Sequence, residues 1–276
     1  MADACTPTTR VSADGARLTC CARGGQVLGW VPAGSVHDRL WLSPLAEYGP
    51  GRAIRGGVPV IFPQFAGRGP LPRHGFARDR AWQVLASSDP DVGVARWSAR
   101  LRDDVVTRAV WPHAFAVEVD AAAAGVQLRL ALTVRNHGTE PFVFAAALHS
   151  YLRLGTSPGT TITGLGGRSA QDNMASGATR ELPPDPLSAL DTTDVVVRDV
   201  QGPIRLADPM LGPLVIDAEG FPDRVLWNPG PGHGLVDVAA GAEREFVCVE
   251  PAALDGNRLE PGEQWSATLV LRAAGS

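Results

Sequence analysis

The chain contains no lysine, because all 25 basic residues among its 276 are arginine. A lysine Schiff base and a Walker-type phosphate loop both require a lysine amine, so neither mechanism is open to this protein. An anionic ligand would have to be recognised by arginine, histidine or backbone N–H groups. Isoleucine and asparagine are also scarce, and a coding bias explains most of this composition.

An excess of positive charge is also missing. The 25 basic residues face 29 acidic ones, which gives a net charge of −4. Nucleic-acid binding needs a surplus of cations to displace counterions, so we expect no nucleic-acid partner. With 45% apolar and 20% charged residues, the composition is that of a soluble globular protein.

The sequence also lacks long apolar runs and the cysteine spacing of a zinc site. The longest wholly apolar run covers residues 142–148, far short of the ~20 residues that span a bilayer, so we expect no membrane partner. The N-terminus lacks the basic and apolar regions of a signal peptide. The spacing of Cys5, Cys20, Cys21 and Cys248 fits no zinc motif, and reduced thiols in a cytoplasmic protein are the expectation.

Alternating apolar and polar residues are what the chain has in abundance. Residues 95–101, 126–134 and 265–271 follow the period of two that is typical of half-buried strands, and residues 115–134 read as a hairpin around Gly125. No helical period extends over 12 residues. With 31 glycines and 23 prolines at the breaks, the pattern predicts an all-β sandwich.

The chain shows no sequence repeat and no linker that would separate domains. We therefore predict one domain over residues 1–276, with residues 169–193 as a loop-rich excursion within it. No long apolar edge or stripe requires a partner subunit, which favours a monomer.

Two ionisable residues adjoin apolar strands. Glu250 ends the apolar segment 246–249, where burying a carboxylate is costly unless it is paired or functional; its functional interpretation is a general base with a raised pKa. His149 ends the run 142–148 and is either a hydrogen-bonded core histidine or an acid–base group whose pKa lies near neutrality.

Two glycine-containing loops carry arginine and histidine. Arg55 precedes Gly56 and Gly57, so it either belongs to a simple turn or approaches an anion closely. His74 is followed by glycine and then by Arg78, which suits a loop facing a ligand but is weak alone. A cupin-type metal motif, a nucleophile elbow and a dinucleotide fingerprint are all missing, so we expect neither metal nor cofactor.

Six segments in order resemble the aldose 1-epimerase superfamily, in particular its hexose-6-phosphate mutarotase branch. They are Gly-Gly-Gln-Val-Leu-Gly-Trp at 24–30, Ala-Ile-Arg-Gly-Gly-Val-Pro at 53–59, Leu-Pro-Arg-His-Gly-Phe-Ala-Arg at 71–78, Ala-Ala-Leu-His-Ser-Tyr at 146–151, Trp-Asn-Pro at 227–229 and Phe-Val-Cys-Val-Glu-Pro at 246–251. Two features depart from the branch: the glycine-rich loop 230–234 and the adjacent Cys20 and Cys21.

The resemblance implies a mostly antiparallel β-supersandwich of the galactose mutarotase-like type, and an isomerase that interconverts sugar anomers without a cofactor. Glu250 would take the proton of the anomeric hydroxyl while His149 protonates the ring oxygen. The sugar-contacting residues would be His74 and Asp194, although the neighbours of Asp194 depart from the family pattern.

Glucose 6-phosphate is the substrate that this resemblance favours, with Arg55 and Arg78 as the phosphate ligands. Two alternatives stay open at this point. One is a mutarotase for unphosphorylated aldoses, against which the two arginines argue. The other is a protein that binds sugar without turning it over, against which the presence of both His149 and Glu250 argues.

Overall fold

The computed structural model describes residues 5–49, 51–85, 93–155 and 159–274. Within these residues the chain is almost entirely β-structure, as predicted. The strands are β1 (Thr8–Val11), β2 (Arg17–Cys21), β3 (Gln26–Val31), β4 (Val60–Ile61), β5 (Gln83–Val84), β6 (Ala95–Arg102), β7 (Phe115–Ala124), β8 (Gln127–Asn136), β9 (Phe142–Leu148), β10 (Tyr151–Arg153), β11 (Thr161–Thr163), β12 (Ser169–Asp172), β13 (Ala178–Glu181), β14 (Leu187–Ser188), β15 (Thr193–Val197), β16 (Ile204–Ala207), β17 (Leu214–Glu219), β18 (Asp223–Asn228), β19 (Phe246–Leu259) and β20 (Gln264–Ala273).

Helical structure in the described residues is limited to short segments. One α-helix, α1 (Val105–Val110), begins after Asp104, whose carboxylate accepts hydrogen bonds from the first free N–H groups. Three single turns of 3₁₀-helix cover Ala77–Asp79, Asn173–Ala175 and Ala242–Arg244. None of these helices is long and apolar enough to cross a membrane.

The strands form one small and two large antiparallel sheets. The small sheet has the order β1-β2-β3. The eight-stranded sheet has the order β13-β12-β15-β18-β19-β9-β4, with β10 also paired to β19, and the nine-stranded sheet has the order β14-β11-β16-β17-β20-β8-β7-β6-β5. The predicted hairpin is confirmed as β7 and β8, which turn at Gly125.

Alternation along each strand assigns its side chains to two faces. Leu148 of β9 and Val249 of β19 lie in the same apolar cluster as Leu130 and Leu269 of the nine-stranded sheet, so this cluster is the core between the two large sheets. The next residues along β9 and β19 point to the opposite face of the eight-stranded sheet. On the basis of the shared core we propose that residues 1–276 form one domain.

One boundary prediction was wrong, and one segment predicted to be rich in loops also contains strands. The segment before Glu250 does not end there, because β19 continues to Leu259 while β18 and β9 pair with it on both sides of Pro251. Residues 169–193 are not only loop, because β12, β13 and β14 lie within them and β15 begins at their end. The polar composition and short length of these strands hid them, since they carry no clear alternation of apolar and polar residues.

The expectation of four reduced cysteines was wrong for one pair. Cys5 and Cys21 are joined by a disulfide with a Cα–Cα distance of 5.9 Å, because the antiparallel pairing of β1 with β2 returns the chain to its start. Cys20 and Cys248 are buried free thiols. Disulfides are uncommon in the cytoplasm, and a cytoplasmic location stays a prediction.

Gly57 allows the segment that carries Arg55 to pack closely against the backbone of β3. Its φ is +62°, and a Cβ atom there would overlap the Val27 carbonyl oxygen and lie 2.9 Å from Leu28 Cα. Its N–H donates to the Trp41 carbonyl at 2.7 Å and its carbonyl accepts from Tyr151 N–H at 2.9 Å. Only glycine satisfies this conformation and this contact together.

We therefore expect Gly57→Ala to lower the free energy of unfolding by more than about 3 kcal/mol, because strain and backbone overlap add together. Gly262→Ala is the matched control, since Gly262 has φ +82° and no atom lies within 4 Å of the position that a Cβ would take. Gly262→Ala should lower the free energy of unfolding only by the cost of a positive φ for alanine, about 1–2 kcal/mol. Urea unfolding measures both free energies. Equal decreases in Gly57→Ala and Gly262→Ala would contradict the close contact between Gly57 and the backbone of Val27 and Leu28.

Candidate active site

The outer face of the eight-stranded sheet gathers the ionisable residues. Ala147 lies opposite Ala252 in the β9–β19 register, and continuing this register by two residues places His149 opposite Glu250. On the other side of β19, Val225 of β18 pairs with Glu250. The strand pairing therefore brings together two residues that are 101 positions apart in sequence (250 minus 149).

His149 and Glu250 are in direct contact. The Nε2 atom of His149 lies 3.3 Å from Oε1 of Glu250. The two residues are only 6% and 1% exposed. His149 Nδ1 and Glu250 Oε2 are buried and have no hydrogen-bond partner among the described residues. Unpartnered polar atoms inside a protein are rare, and these two, among several in the described residues, belong to the two residues predicted to transfer protons.

Burial sets the protonation preference of this pair. It lowers the pKa of His149 well below its usual value, and the positive charges of Arg78 and Arg55 act in the same direction. Burial also raises the pKa of Glu250 well above its usual value, helped by the negative charge of Asp194. Both shifts favour neutral side chains, so the pair holds one proton that it shares across the 3.3 Å contact.

Asp194 lies on β15 at the same face of the sheet. One of its carboxylate oxygens, Oδ1, accepts a hydrogen bond of 2.6 Å from the side-chain amide of Asn173. Asn173 itself begins the 3₁₀ turn that Asp172 caps. The short strand β12 and the turn that follows it therefore fix the orientation of Asp194 toward the pair.

His74 approaches the pair from a loop. Its φ of +68° is unusual for a non-glycine residue, and the loop is held by hydrogen bonds from His74 N–H to the Ala66 carbonyl and from Gly75 N–H to the Pro72 carbonyl. The Nδ1 atom of His74 accepts from Ala66 N–H at 3.4 Å, which leaves Nε2 as a donor. Burial, then the charges of arginines including Arg78, lower the pKa of His74 to about 2. The ring is therefore neutral.

Arg55 and Arg78 border the same space but differ in their partners. Arg55 Nε lies 3.0 Å from the Asp237 carboxylate, and its Nη1 donates to the Tyr151 hydroxyl at 2.7 Å. Burial alone would lower the pKa of Arg55, but Tyr151 and Asp237 outweigh it and raise the pKa. Arg78 donates to the Arg73 carbonyl at 3.2 Å, and its Nε is buried without a partner among the described residues.

Aromatic rings support the pair from one side. The rings of His149 and Tyr151 are stacked with centroids 4.8 Å apart and planes 9° apart, and Trp227 meets His149 edge-on at 5.8 Å. The contact with Tyr151 fixes the plane of the imidazole, since Tyr151 is itself held by Arg55.

All six predicted site residues border one cavity of about 460 Å³, which we call the main cavity. Its volume lies in the range of small-molecule sites. The residues that line it are Arg55, Phe65, Ala66, Gly67, Arg68, Arg73, His74, Arg78, His149, Asn173, Asp194, Val225, Trp227, Leu235 and Glu250. A neighbouring side cavity of about 260 Å³ is bordered by Glu47, Arg52, Ala53, Arg55, Arg78, Val236 and Asp237.

Several lining residues escaped the sequence analysis. Arg73 stands directly before His74 in a segment already singled out, so its position was a usable signal. Asn173 lies in the stretch read as loop, and its contact with Asp194 depends on the pairing of β12 with β15. Trp227 lay in a matched segment without a role. No local pattern indicates the ion pair of Arg55 with Asp237, since the two are 182 positions apart.

Three buried donors could in principle hold a metal ion. The ligand atoms of His149, Cys248 and Glu250 all lie within 4.8 Å of one another. Burial raises the pKa of Cys248 well above its usual value, with the charge of Glu250 acting in the same direction, so its thiol keeps the proton that a metal must displace. The absence of a metal cofactor stays a prediction.

Known proteins share this sequence pattern and this fold. The family model described as aldose 1-epimerase matches residues 8–272. A provisionally named glucose-6-phosphate 1-epimerase of Cenchrus ciliaris is 31% identical over 95% of this chain and 84% of its own length. A protein of Escherichia coli with the same provisional name is 32% identical over 83% of this chain and 77% of its own length.

Two solved structures illustrate the fold. A provisionally named mutarotase, YeaD from Salmonella typhimurium, superposes with a TM-score of 0.82 at 25% identity, covering 94% of this chain and 88% of that one. A galactose mutarotase-like protein from Lactobacillus casei gives a TM-score of 0.76 at 17% identity, covering 98% of this chain and all of that one. The galactose mutarotase-like architecture is thereby confirmed, and the chain belongs to the aldose 1-epimerase family.

Proposed function

We propose that this protein is a mutarotase that interconverts the α and β anomers of hexose 6-phosphates, with glucose 6-phosphate as the favoured substrate. The observation that carries the proposal is the buried 3.3 Å contact between His149 and Glu250, at the base of a cavity that arginines also border. Family membership supports an isomerase activity, and the names of the relatives support a phosphorylated substrate.

Ring opening requires one group to accept a proton while another donates one. Ring opening starts from the less stable form of the pair, in which the single proton lies on His149 and Glu250 is ionised. Glu250 takes the proton of the anomeric hydroxyl, and His149 donates its proton to the ring oxygen, so the C1–O5 bond breaks and C1 becomes an aldehyde. Glu250 is then protonated and His149 is neutral. These are the protonation states that burial favours, so the site stabilises the enzyme that holds the open chain.

Reclosure reverses these roles. Rotation about C1–C2 presents the other face of the aldehyde, His149 takes back a proton from the C5 hydroxyl, and Glu250 protonates the carbonyl oxygen as the ring forms. The charge and proton count of the pair are unchanged after a full cycle. No metal or redox cofactor enters these steps.

The remaining cavity residues orient the sugar. His74 offers its Nε2–H and Asp194 its carboxylate to hydroxyl groups, and the indole of Trp227 provides an apolar wall. Arg55 and Arg78 lie between the main cavity and the side cavity, where a 6-phosphate would meet both guanidinium groups. Arginine suits this task because its planar fork donates two parallel hydrogen bonds to phosphate oxygens.

Glu250→Gln should reduce the enzyme-catalysed exchange of glucose 6-phosphate anomers by at least about 10²-fold, because glutamine cannot accept the hydroxyl proton. Exchange NMR measures this rate against the buffer rate. Glu243→Gln is the control, as Glu243 is a buried carboxylate that does not border the main cavity. An unchanged rate in Glu250→Gln would refute the assigned base, and no acceleration by the wild type would refute the enzyme.

Arg78→Ala should raise KM for glucose 6-phosphate about tenfold or more and leave KM for free glucose nearly unchanged, because a charged hydrogen bond to phosphate contributes about 1.5–3 kcal/mol. Anomerisation kinetics on both sugars provide the measurement. Equal losses for both sugars would remove the phosphate-binding role and favour a mutarotase for unphosphorylated aldoses.

Asp194→Asn should move the alkaline limb of the kcat/KM profile to lower pH. The pair is active with one proton and loses it at high pH, and the negative charge of Asp194 strengthens the hold of Glu250 on that proton. Removing the charge of Asp194 lowers the pKa of Glu250, so the pair loses its proton, and the enzyme its activity, at a lower pH. Asp255→Asn, on an exposed carboxylate outside the cavity, should leave the limb in place. An alkaline limb at the same pH in Asp194→Asn and in the wild type would refute the electrostatic coupling of Asp194 to Glu250.

A further inference from the structure

Four arginines border the main cavity. Arg68 donates to the side-chain oxygen of Gln171 at 2.7 Å, and the other three act on His74 through their charge but differ in how far that charge is already compensated. Arg55 has a carboxylate partner, Asp237, at 3.0 Å. Its positive charge is therefore largely balanced before any ligand arrives. An anion that met only this arginine would compete with Asp237 for the same N–H groups.

Neither Arg78 nor Arg73 forms an ion pair with a carboxylate in the described part of the chain, although the negative charge of Asp79 acts on Arg78. Arg78 donates to a neutral main-chain carbonyl, that of Arg73, at 3.2 Å. The Arg73 side chain borders the main cavity, and it forms no hydrogen bond or ion pair with any other residue in the described part of the chain. Two guanidinium groups that form no ion pair with any described residue therefore belong to one loop.

The loop that carries Arg73 is well fixed even though the Arg73 side chain is exposed. His74, the next residue, is bound through its N–H to the Ala66 carbonyl, and Gly75 N–H closes the turn onto Pro72. The charge of Arg73 reaches the catalytic pair, because it opposes the rise in the pKa of Glu250. Arg73 is thus held at the rim with its guanidinium free to meet a ligand.

We propose that Arg73 is a third ligand of the substrate phosphate and that it gives the site a preference for a dianionic over a monoanionic group. This inference rests on the function proposed above. Of the three arginines that act on His74, Arg55 together with Asp237 contributes no net charge, so Arg78 and Arg73 supply two positive charges there. That sum matches a phosphate monoester, which carries close to two negative charges above its second pKa of about 6.

The test compares glucose 6-phosphate with glucose 6-sulfate, which carries one negative charge. The wild type should show a higher kcat/KM for the phosphate, measured by anomer exchange at a pH of about 7.5, above that second pKa. Arg73→Gln keeps a long polar side chain but removes the charge, and it should reduce the phosphate-to-sulfate ratio about tenfold. Arg73→Lys, which keeps the charge, should retain most of the ratio.

Arg80→Gln is the matched control, since Arg80 lies on the same segment but does not border the main cavity. Its ratio should equal that of the wild type. A ratio unchanged in Arg73→Gln, in protein whose melting temperature is unchanged, would overturn the role of Arg73 and leave the mutarotase proposal standing.

A wild type that accelerates neither sugar would instead overturn the proposed function. Calorimetric titration with inorganic phosphate then still tests Arg73. Binding weakened about tenfold in Arg73→Gln but not in Arg80→Gln would support it as an anion ligand, and equal binding by all three proteins would refute it.

Discussion

The contact between His149 and Glu250 is the constraint on which the rest of this site depends. Two ionisable groups lie 3.3 Å apart on a sheet face from which solvent is nearly excluded. Separating a full charge pair in such a place is expensive, so the pair is most stable with one shared proton and no net charge. A pair in this state can give and take protons at once, which is the requirement of ring opening and closing.

The register of the strands brings His149 and Glu250 into contact. Because β19 is long and lies between β9 and β18, it carries Glu250 in its interior rather than at a flexible end. Its opposite face is part of the core between the two large sheets, so small shifts of the strand would disturb that packing. The stable core thus holds the proposed acid–base pair in place, while the surrounding loops supply His74 and the arginines.

Much of this could be predicted from sequence, for identifiable reasons. The period of two in residues such as 95–101 and 265–271 is a local signal, and the strands β6 and β20 confirm it. His149 and Glu250 could be selected because each adjoins an apolar run. The edge strands within residues 169–193 could not, since polar edge strands carry no strong alternation.

Contacts between segments that are distant in sequence could not be predicted either. The ion pair of Arg55 with Asp237 and the hydrogen bond of Asn173 to Asp194 join side chains whose meeting depends on the whole sheet. The disulfide of Cys5 with Cys21 likewise follows from the pairing of β1 and β2 rather than from cysteine spacing. These contacts also determine the charge of the site. The sequence therefore pointed to the proposed acid–base pair, but not to the charged residues that surround it.

The most direct test of the proposed chemistry is a crystal structure of the protein with bound glucose 6-phosphate. We predict the anomeric hydroxyl within hydrogen-bond distance of Glu250, the ring oxygen within reach of His149, and the phosphate on Arg55 and Arg78. A sugar bound in the reverse orientation, with its phosphate near Arg68 and its anomeric carbon away from the pair, would contradict the proposal.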